Sequence, residues 1–154
     1  MASAATSTGA YANGALRGRF YNSGGVGAGP GSAVGDVGAN LTLVSAGDAV
    51  SYYVYRCTTA NCSGTPDAVA SGTLPGSTVG SSVHTILLKW DPVAQRFTFG
   101  SDGSTVEVDP TGVAPYVGGA NTPLREVQGL AGVPATAGAA ASYELRVNNL
   151  FTAP

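Results

Sequence analysis

Few side chains in this 154-residue sequence are equipped for chemistry. Cys57 and Cys62 are the only cysteines, and His84 is the only histidine. A structural zinc site needs four good ligands, usually two close pairs, which this set cannot supply. A thioredoxin-like redox pair needs two intervening residues, whereas Arg56-Cys-Thr-Thr-Ala-Asn-Cys-Ser63 has four. The reading is a disulfide closing a tight turn at a strand end, with two reduced thiols as the alternative. A ring this small contributes about 2 kcal/mol by the chain-entropy estimate. It also implies an oxidising compartment: periplasm, cell surface or medium. His84 has no nucleophile elbow to serve, because no Gly-x-Ser-x-Gly occurs. It reads as a half-buried histidine at a strand start with one ring nitrogen hydrogen-bonded. Neither Gly-x-Gly-x-x-Gly nor a Walker lysine is present, so the glycines of 24–31 read as a loop rather than a phosphate cradle.

The densest binding chemistry is aromatic. Tyr52, Tyr53 and Tyr55 lie in one short run before Arg56, and Trp90 is the only tryptophan. Flat rings with a polar tip suit the C–H faces and hydroxyls of sugars. Strand alternation puts Tyr53 and Tyr55 on one face, with Tyr52, Val54 and Arg56 on the other. One face must be core, so at least one tyrosine packs. The candidate ligand-binding set is Tyr53, Tyr55, Trp90 and Arg56.

Elements that could hold these residues follow from composition and period. Charged residues are 10%, against a usual ~25%, and 44% are hydrophobic, so neither a charge-rich disordered chain nor a coiled coil fits. No apolar run approaches the ~18–20 residues of a membrane helix. Net charge is −2, with seven scattered cations and Lys89 as the single lysine. Arg17 and Arg19, flanked by glycine, are the nearest thing to a cluster. That excludes nucleic acid and anionic membrane as partners. Apolar residues alternate with polar ones in short stretches bounded by Gly and Pro, which predicts strands over 16–22, 37–45, 49–57, 68–74, 83–90, 95–100, 105–109 and 142–151. In 16–22, Leu16, Gly18 and Phe20 oppose Arg17, Arg19 and Tyr21. In the last strand Tyr143, Leu145 and Val147 point inward. Asp91-Pro92-Val-Ala94 and Ser101-Asp102-Gly103-Ser104 read as hairpin turns, making 85–109 a three-stranded meander. One short helical turn is expected within 122–130. The stretches 23–35, 111–120 and 132–141 read as loops. Eight short strands predict an all-β antiparallel β-sandwich over 15–154. Residues 1–14, with no charge, read as a flexible N-terminal segment left after signal-peptide removal, Met1 being added to it.

Three stretches, in order, resemble a known family. His84-Thr-Ile-Leu-Leu-Lys-Trp-Asp91 followed by Arg96-Phe-Thr-Phe-Gly-Ser-Asp-Gly103 resembles the central meander of concanavalin A-like (laminin G-like) jelly-roll domains of bacterial-type secreted proteins. Tyr143-Glu-Leu-Arg-Val-Asn-Asn-Leu-Phe151 resembles the closing strand, with Asn148 and Asn149 where Asp-Asn is common, and Gly18-Arg-Phe-Tyr-Asn22 suits its N-terminal partner. The resemblance covers about a third of the chain and implies two curved sheets, extracellular location and often glycan or protein binding; fold alone does not fix activity. Some members are glucanases with Glu-x-Asp-x-Glu on one strand. Here Glu107-Val-Asp109-Pro-Thr111 lacks the third acid, and Pro110 breaks the strand. Glu107 and Asp109 share a face at ~6.5–7 Å along it, against the ~5–5.5 Å between carboxyls of a retaining pair, and read as solvated edge-strand acids. Laminin G-like modules often hold calcium. The loop acids here are Asp36, Asp48 and Asp102, with no Asp-x-Asp-x-Asp loop to gather them, so no cofactor is assigned.

The expected function is a secreted or cell-surface, non-catalytic binding module for glycan. Its partner is a polysaccharide or an extracellular protein surface. The alternative is a self-assembling surface or matrix adhesion subunit, a homo-oligomer or polymer, because few charges leave edge strands open to pairing. A glycan-cleaving enzyme ranks third.

Overall fold

Alternating apolar and polar residues become β-strands throughout. The computed structural model describes residues 2–5, 11–24, 33–44, 49–77, 84–118, 124–132 and 141–144; of 2–5, 11–12, 124–132 and 141–144 it describes the backbone alone. The strands are β1 (Ala2–Ala5), β2 (Tyr11–Asn22), β3 (Asp36–Val44), β4 (Ala49–Arg56), β5 (Asp67–Thr73), β6 (Ile86–Asp91), β7 (Arg96–Ser101), β8 (Ser104–Val108), β9 (Leu124–Gly132) and β10 (Ala141–Glu144). They form a five-stranded sheet in the order β5-β4-β3-β2-β9, a three-stranded sheet β6-β7-β8 and a two-stranded pair β1-β10. Every pairing is antiparallel.

The two larger sheets stack face to face. Val37, Ala39, Leu41 and Leu43 of β3, with Val50 and Val54 of β4, meet Phe97, Phe99 and Val108 of the other sheet in one buried cluster. Rings bridge the layers: Phe20 meets Phe97 edge-on at 5.2 Å, and Tyr52 stacks on Phe99 at 4.8 Å. The molecule is therefore an antiparallel β-sandwich, as its patterning predicts.

One strand departs from simple alternation. The β2–β3 register shifts between Arg19 and Tyr21, so Phe20 and Tyr21 both enter the core, at 6% and 0% exposure. A bulge of this kind turns a side chain to the opposite face. Tyr21 thus leaves the face of Arg17 and Arg19, where strict alternation would put it. Its hydroxyl donates to the Ala114 carbonyl at 2.6 Å. Burial, with the negative charge of Asp109 adding to it, pushes the phenol pKa well up, which keeps it a donor.

Both predicted turns form. Asp91 Oδ1 accepts from the backbone N–H of Val93 and Ala94 at 3.0 and 2.9 Å. The Ala94 bond, with Lys89 adding, holds the Asp91 carboxyl below the usual range. At the second turn Asp102 and Gly103 take φ of 49° and 91°, the two positive values a tight hairpin needs.

The expected helical turn does not form. Residues 124–132 are strand, not a helical turn, and pair over Tyr11–Arg19 of β2. A lone nine-residue helix containing Gly129 is marginal in water, whereas the open side of β2 offers a full ladder of partners. Within the segment 1–14, residues 2–5 form β1 against β10 and residues 11–14 open β2 against β9. Its small side chains suit a ladder held by backbone hydrogen bonds. The outer parts of three predicted elements (83, 45, 145–151) and most of the 23–35 and 132–141 loops lie outside the described residues, as do the Tyr143 and Glu144 side chains.

A tyrosine pair on the outer sheet face

Alternation along β4 divides its tyrosines. Tyr52 turns inward onto Phe99, while Tyr53 and Tyr55 project from the opposite, outer face and stack at 5.7 Å with planes 21° apart. Register explains their posture. Tyr55 stands opposite Gly38 of β3, and a Cβ on Gly38 would lie 2.3 Å from the Tyr55 Cζ. The ring therefore lies across β3 in space only glycine leaves open. Neither Tyr53 nor Tyr55 hydroxyl is hydrogen-bonded among the described residues.

The next rung runs Ser71, Tyr53, Asn40, Arg17, with Glu126 of β9 at the register position beyond. Here Asn40 Oδ1 and Arg17 Nε are sealed from solvent with no hydrogen-bond partner, as is Asn13 Oδ1 further along β2. Arg17 and Asn40 as residues remain half-buried, not enclosed. One rung away, Arg19 donates to the Asn61 carbonyl at 2.9 Å and stands 3.9 Å from the buried Asp36 carboxylate. Asn61 belongs to the turn closed by the Cys57–Cys62 disulfide, which is present as expected. Asp36 also accepts from Asn22 Nδ2 at 2.8 Å.

The four predicted ligand residues do not gather. Tyr53 and Tyr55 do; Trp90 lies between the sheets, 4.6 Å from both Tyr21 and Phe97. Its partners are core rings, because β6 turns Ile86, Leu88 and Trp90 toward the other sheet. Arg56 falls on the side of β4 away from Tyr55, where its Nε donates to Ser23 Oγ at 2.8 Å and ties down the loop after β2. Trp90 and Arg56 are thus structural neighbours of the core and a loop, not companions of the tyrosine pair. The register also brings Arg17 and Asn40, alternating residues of two separate strands, beside Tyr53.

His84 has the hydrogen-bonded ring nitrogen expected of it, but it is buried rather than half-buried. Its Nδ1 sits 2.6 Å from Asp102 Oδ2, and the ring is 7% exposed. Desolvation raises the Asp102 pKa, but the hydrogen bonds from His84, the Thr85 N–H and Ser101 outweigh it and leave the pKa lowered. Glu107 bonds Arg96 at 3.0 Å across the exposed surface. Asp109 accepts from the Thr111 hydroxyl and its N–H, which lowers the Asp109 pKa. Of the loop acids considered for calcium, Asp36 and Asp102 are engaged in separate places, and Asp48 lies outside the described residues. Among the described residues no three His, Cys, Asp or Glu side chains gather as a metal group. No family model, curated protein or solved structure matches this chain.

Proposed function

We propose that this chain is a non-catalytic carbohydrate-binding module, exported to the periplasm, cell surface or medium, that lays a glycan on the Tyr53–Tyr55 pair. The observation that carries this reading is the stacked pair itself. Two rings occupy an outer sheet face, one lying over a glycine, and neither phenol is hydrogen-bonded among the described residues. The face around them is hydroxyl- and amide-rich (Thr42, Ser51, Ser71, Asn40), as a ligand of many hydroxyls requires. The disulfide agrees with an oxidising compartment. The concanavalin A-like resemblance points to the same class of ligand. Non-catalytic action is supported by Glu107, committed to Arg96, and Asp109, committed to Thr111.

Retention in native gels cast with polysaccharides tests the reading. Covering one tyrosine with a sugar face is worth about 1.5–3 kcal/mol, so Tyr53→Ala or Tyr55→Ala should each weaken binding roughly 10- to 100-fold. Binding that survives the double substitution in a folded protein refutes it.

A second reading, self-assembly into a surface polymer, has its own observation. The Leu74 N–H bonds the Val50 carbonyl at 2.9 Å, so by antiparallel alternation Ser71 and Thr73 aim their N–H and C=O groups away from β4. β5 is an outer strand of its sheet, and Asp67, at its start, is its only charge. Sedimentation across a concentration series tests it; a monomer at all concentrations removes it.

A further inference from the structure

We propose that two copies of this chain join edge to edge through β5, antiparallel about a two-fold axis at Gly72, and that the joined sheets offer one long glycan two tyrosine pairs on a single face. The contact rests on the sheet edge alone; its use rests on the reading of the tyrosine pair as a sugar platform. β5 ends the five-stranded sheet, and among the described residues no strand pairs with its far side. The Leu74 N–H bonds the Val50 carbonyl, and Gly72 and Ala70 stand opposite Tyr52 and Val54. Residues 70, 72 and 74 therefore spend their backbone groups on β4, while Ser71 and Thr73 turn theirs outward. Both are exposed. This open ladder is stopped on each side. At one end Tyr55 pairs with Ala68 and Val54 with Ala70, which leaves Val69 as an extra residue, a bulge that interrupts regular pairing. At the other end stands Pro75, which has no N–H to give.

The stretch between Val69 and Pro75 is symmetric about Gly72, and a two-fold contact is self-complementary in this way. Antiparallel pairing about that point sets Ser71 against the partner's Thr73, and Thr73 against the partner's Ser71, each rung closed by two backbone hydrogen bonds. The two ladder-breakers then coincide, the Val69 bulge facing the partner's Pro75. Serine and threonine hydroxyls meet on the outer face, a favourable cross-strand pair. Asp67 is the only charge of β5, and this register keeps it about 30 Å along the strands from its counterpart, so like charges do not meet. Both copies turn the same face to the same side of the joined sheet. Tyr53 pairs with Ser71, so the two Tyr53 positions stand three strand spacings across and two residues along from each other, about 16 Å in all. One polysaccharide chain can bridge that span, and holding it at both pairs adds avidity without a new contact.

Sedimentation of the full chain without glycan, from about 1 μM to about 1 mM, tests the contact. The mass should double and stop there, because a two-fold contact closes on itself where a polymer would keep growing. Thr73→Pro should stay monomeric with Tm nearly unchanged, since the N–H it removes points away from β4. A copy carrying Ser71→Lys and Thr73→Lys, and another carrying Ser71→Asp and Thr73→Asp, should each be monomeric and should pair when mixed, because opposite charges then face each other across the seam. A chain that stays monomeric, a dimer that survives Thr73→Pro, or growth past two copies overturns the contact. Retention in polysaccharide gels tests its use. The unaltered chain should be held roughly 10-fold or more tightly than Thr73→Pro, whereas a disaccharide, too short to bridge, should bind both equally. Equal retention in polysaccharide overturns the shared face and leaves the contact standing; a dimer that retains no polysaccharide removes the sugar reading and the shared face together.

Discussion

Replacing Gly38 by alanine should separate binding from stability. The added Cβ would lie 2.3 Å from Tyr55 Cζ, 2.4 Å from its hydroxyl oxygen and 2.7 Å from Cε2, far inside contact distance. The ring, not the backbone, must yield, because those atoms are the far end of a half-exposed side chain. Gly38 is not among the positive-φ residues, so alanine fits its backbone. Two opposing effects then set stability. Loss of glycine's unfolded-state freedom stabilises by about 0.5–1 kcal/mol, and loss of the Tyr53–Tyr55 stack removes about 0.5–1.5 kcal/mol. The net lies within about 1 kcal/mol, or roughly 2–4 °C in Tm for a domain of this size. Glycan retention, by contrast, should fall about 10-fold or more as one of two rings leaves the face. Near-ultraviolet circular dichroism should lose the signal of the stacked pair. A Tm drop beyond about 10 °C would mean Tyr55 is a core ring, and unchanged retention with an unchanged aromatic spectrum would mean that its placement over Gly38 is wrong. Gly72→Ala is the counterpart on the inner face: its Cβ would meet the Tyr52 hydroxyl oxygen at 2.6 Å, and Tyr52 is stacked on Phe99 in the core. That substitution should destabilise by about 1–3 kcal/mol through overpacking, with no direct effect on the outer pair.

Three further outcomes are expected. Tyr21→Phe leaves the buried Ala114 carbonyl without its donor and should cost about 1–3 kcal/mol in denaturant titration; no change would mean water replaces the hydroxyl. The Asp102 pKa is lowered on folding from 3.8, so its stabilising contribution is present above pH about 4 and is lost as pH falls through the folded value; Tm against pH should drop on the acid side, and Asp102→Asn should flatten that drop while lowering Tm at neutral pH. Reducing Cys57–Cys62 should destabilise by about 2 kcal/mol and release the Asn61 carbonyl from Arg19, measured by urea unfolding with and without reductant; equal midpoints would count against a structural role.

What could be read in advance was whatever depends on local spacing. The alternation of Val37, Ala39, Leu41 and Leu43 gave β3, the Asp-Pro and Asp-Gly pairs gave both hairpins, and the five-residue separation of Cys57 and Cys62 gave the disulfide. Long-range pairing was not legible. β9 looked like a helical turn because its sequence does not carry the partner it needs, the far side of β2. The bulge at Phe20 has no composition signal, so Tyr21 was given the wrong face. Sequence alone groups Trp90 with the tyrosines, because all are rich binding groups. The fold parts them by the thickness of a sheet, since which face of β6 packs depends on the opposing layer.

The site and the core draw on the same pairing table. Each tyrosine that lies across a neighbouring strand does so over a glycine: Tyr52 over Gly72 inside, Tyr55 over Gly38 outside. These two glycines let β4 carry large rings on both faces. The inner ring is fixed by Phe99 and contributes to stability, whereas the two outer rings stack on each other, the arrangement the proposed ligand would use. Arg17 Nε and Asn40 Oδ1, sealed beside Tyr53 with no hydrogen-bond partner, weigh against stability on the outer side. Buried unsatisfied groups lower stability by about 1–3 kcal/mol each, and an apolar pair at that rung would fold more tightly. The outer face beside β4 thus carries unsatisfied polar groups at a cost in stability that the inner face, packed on Phe99, does not show among the described residues.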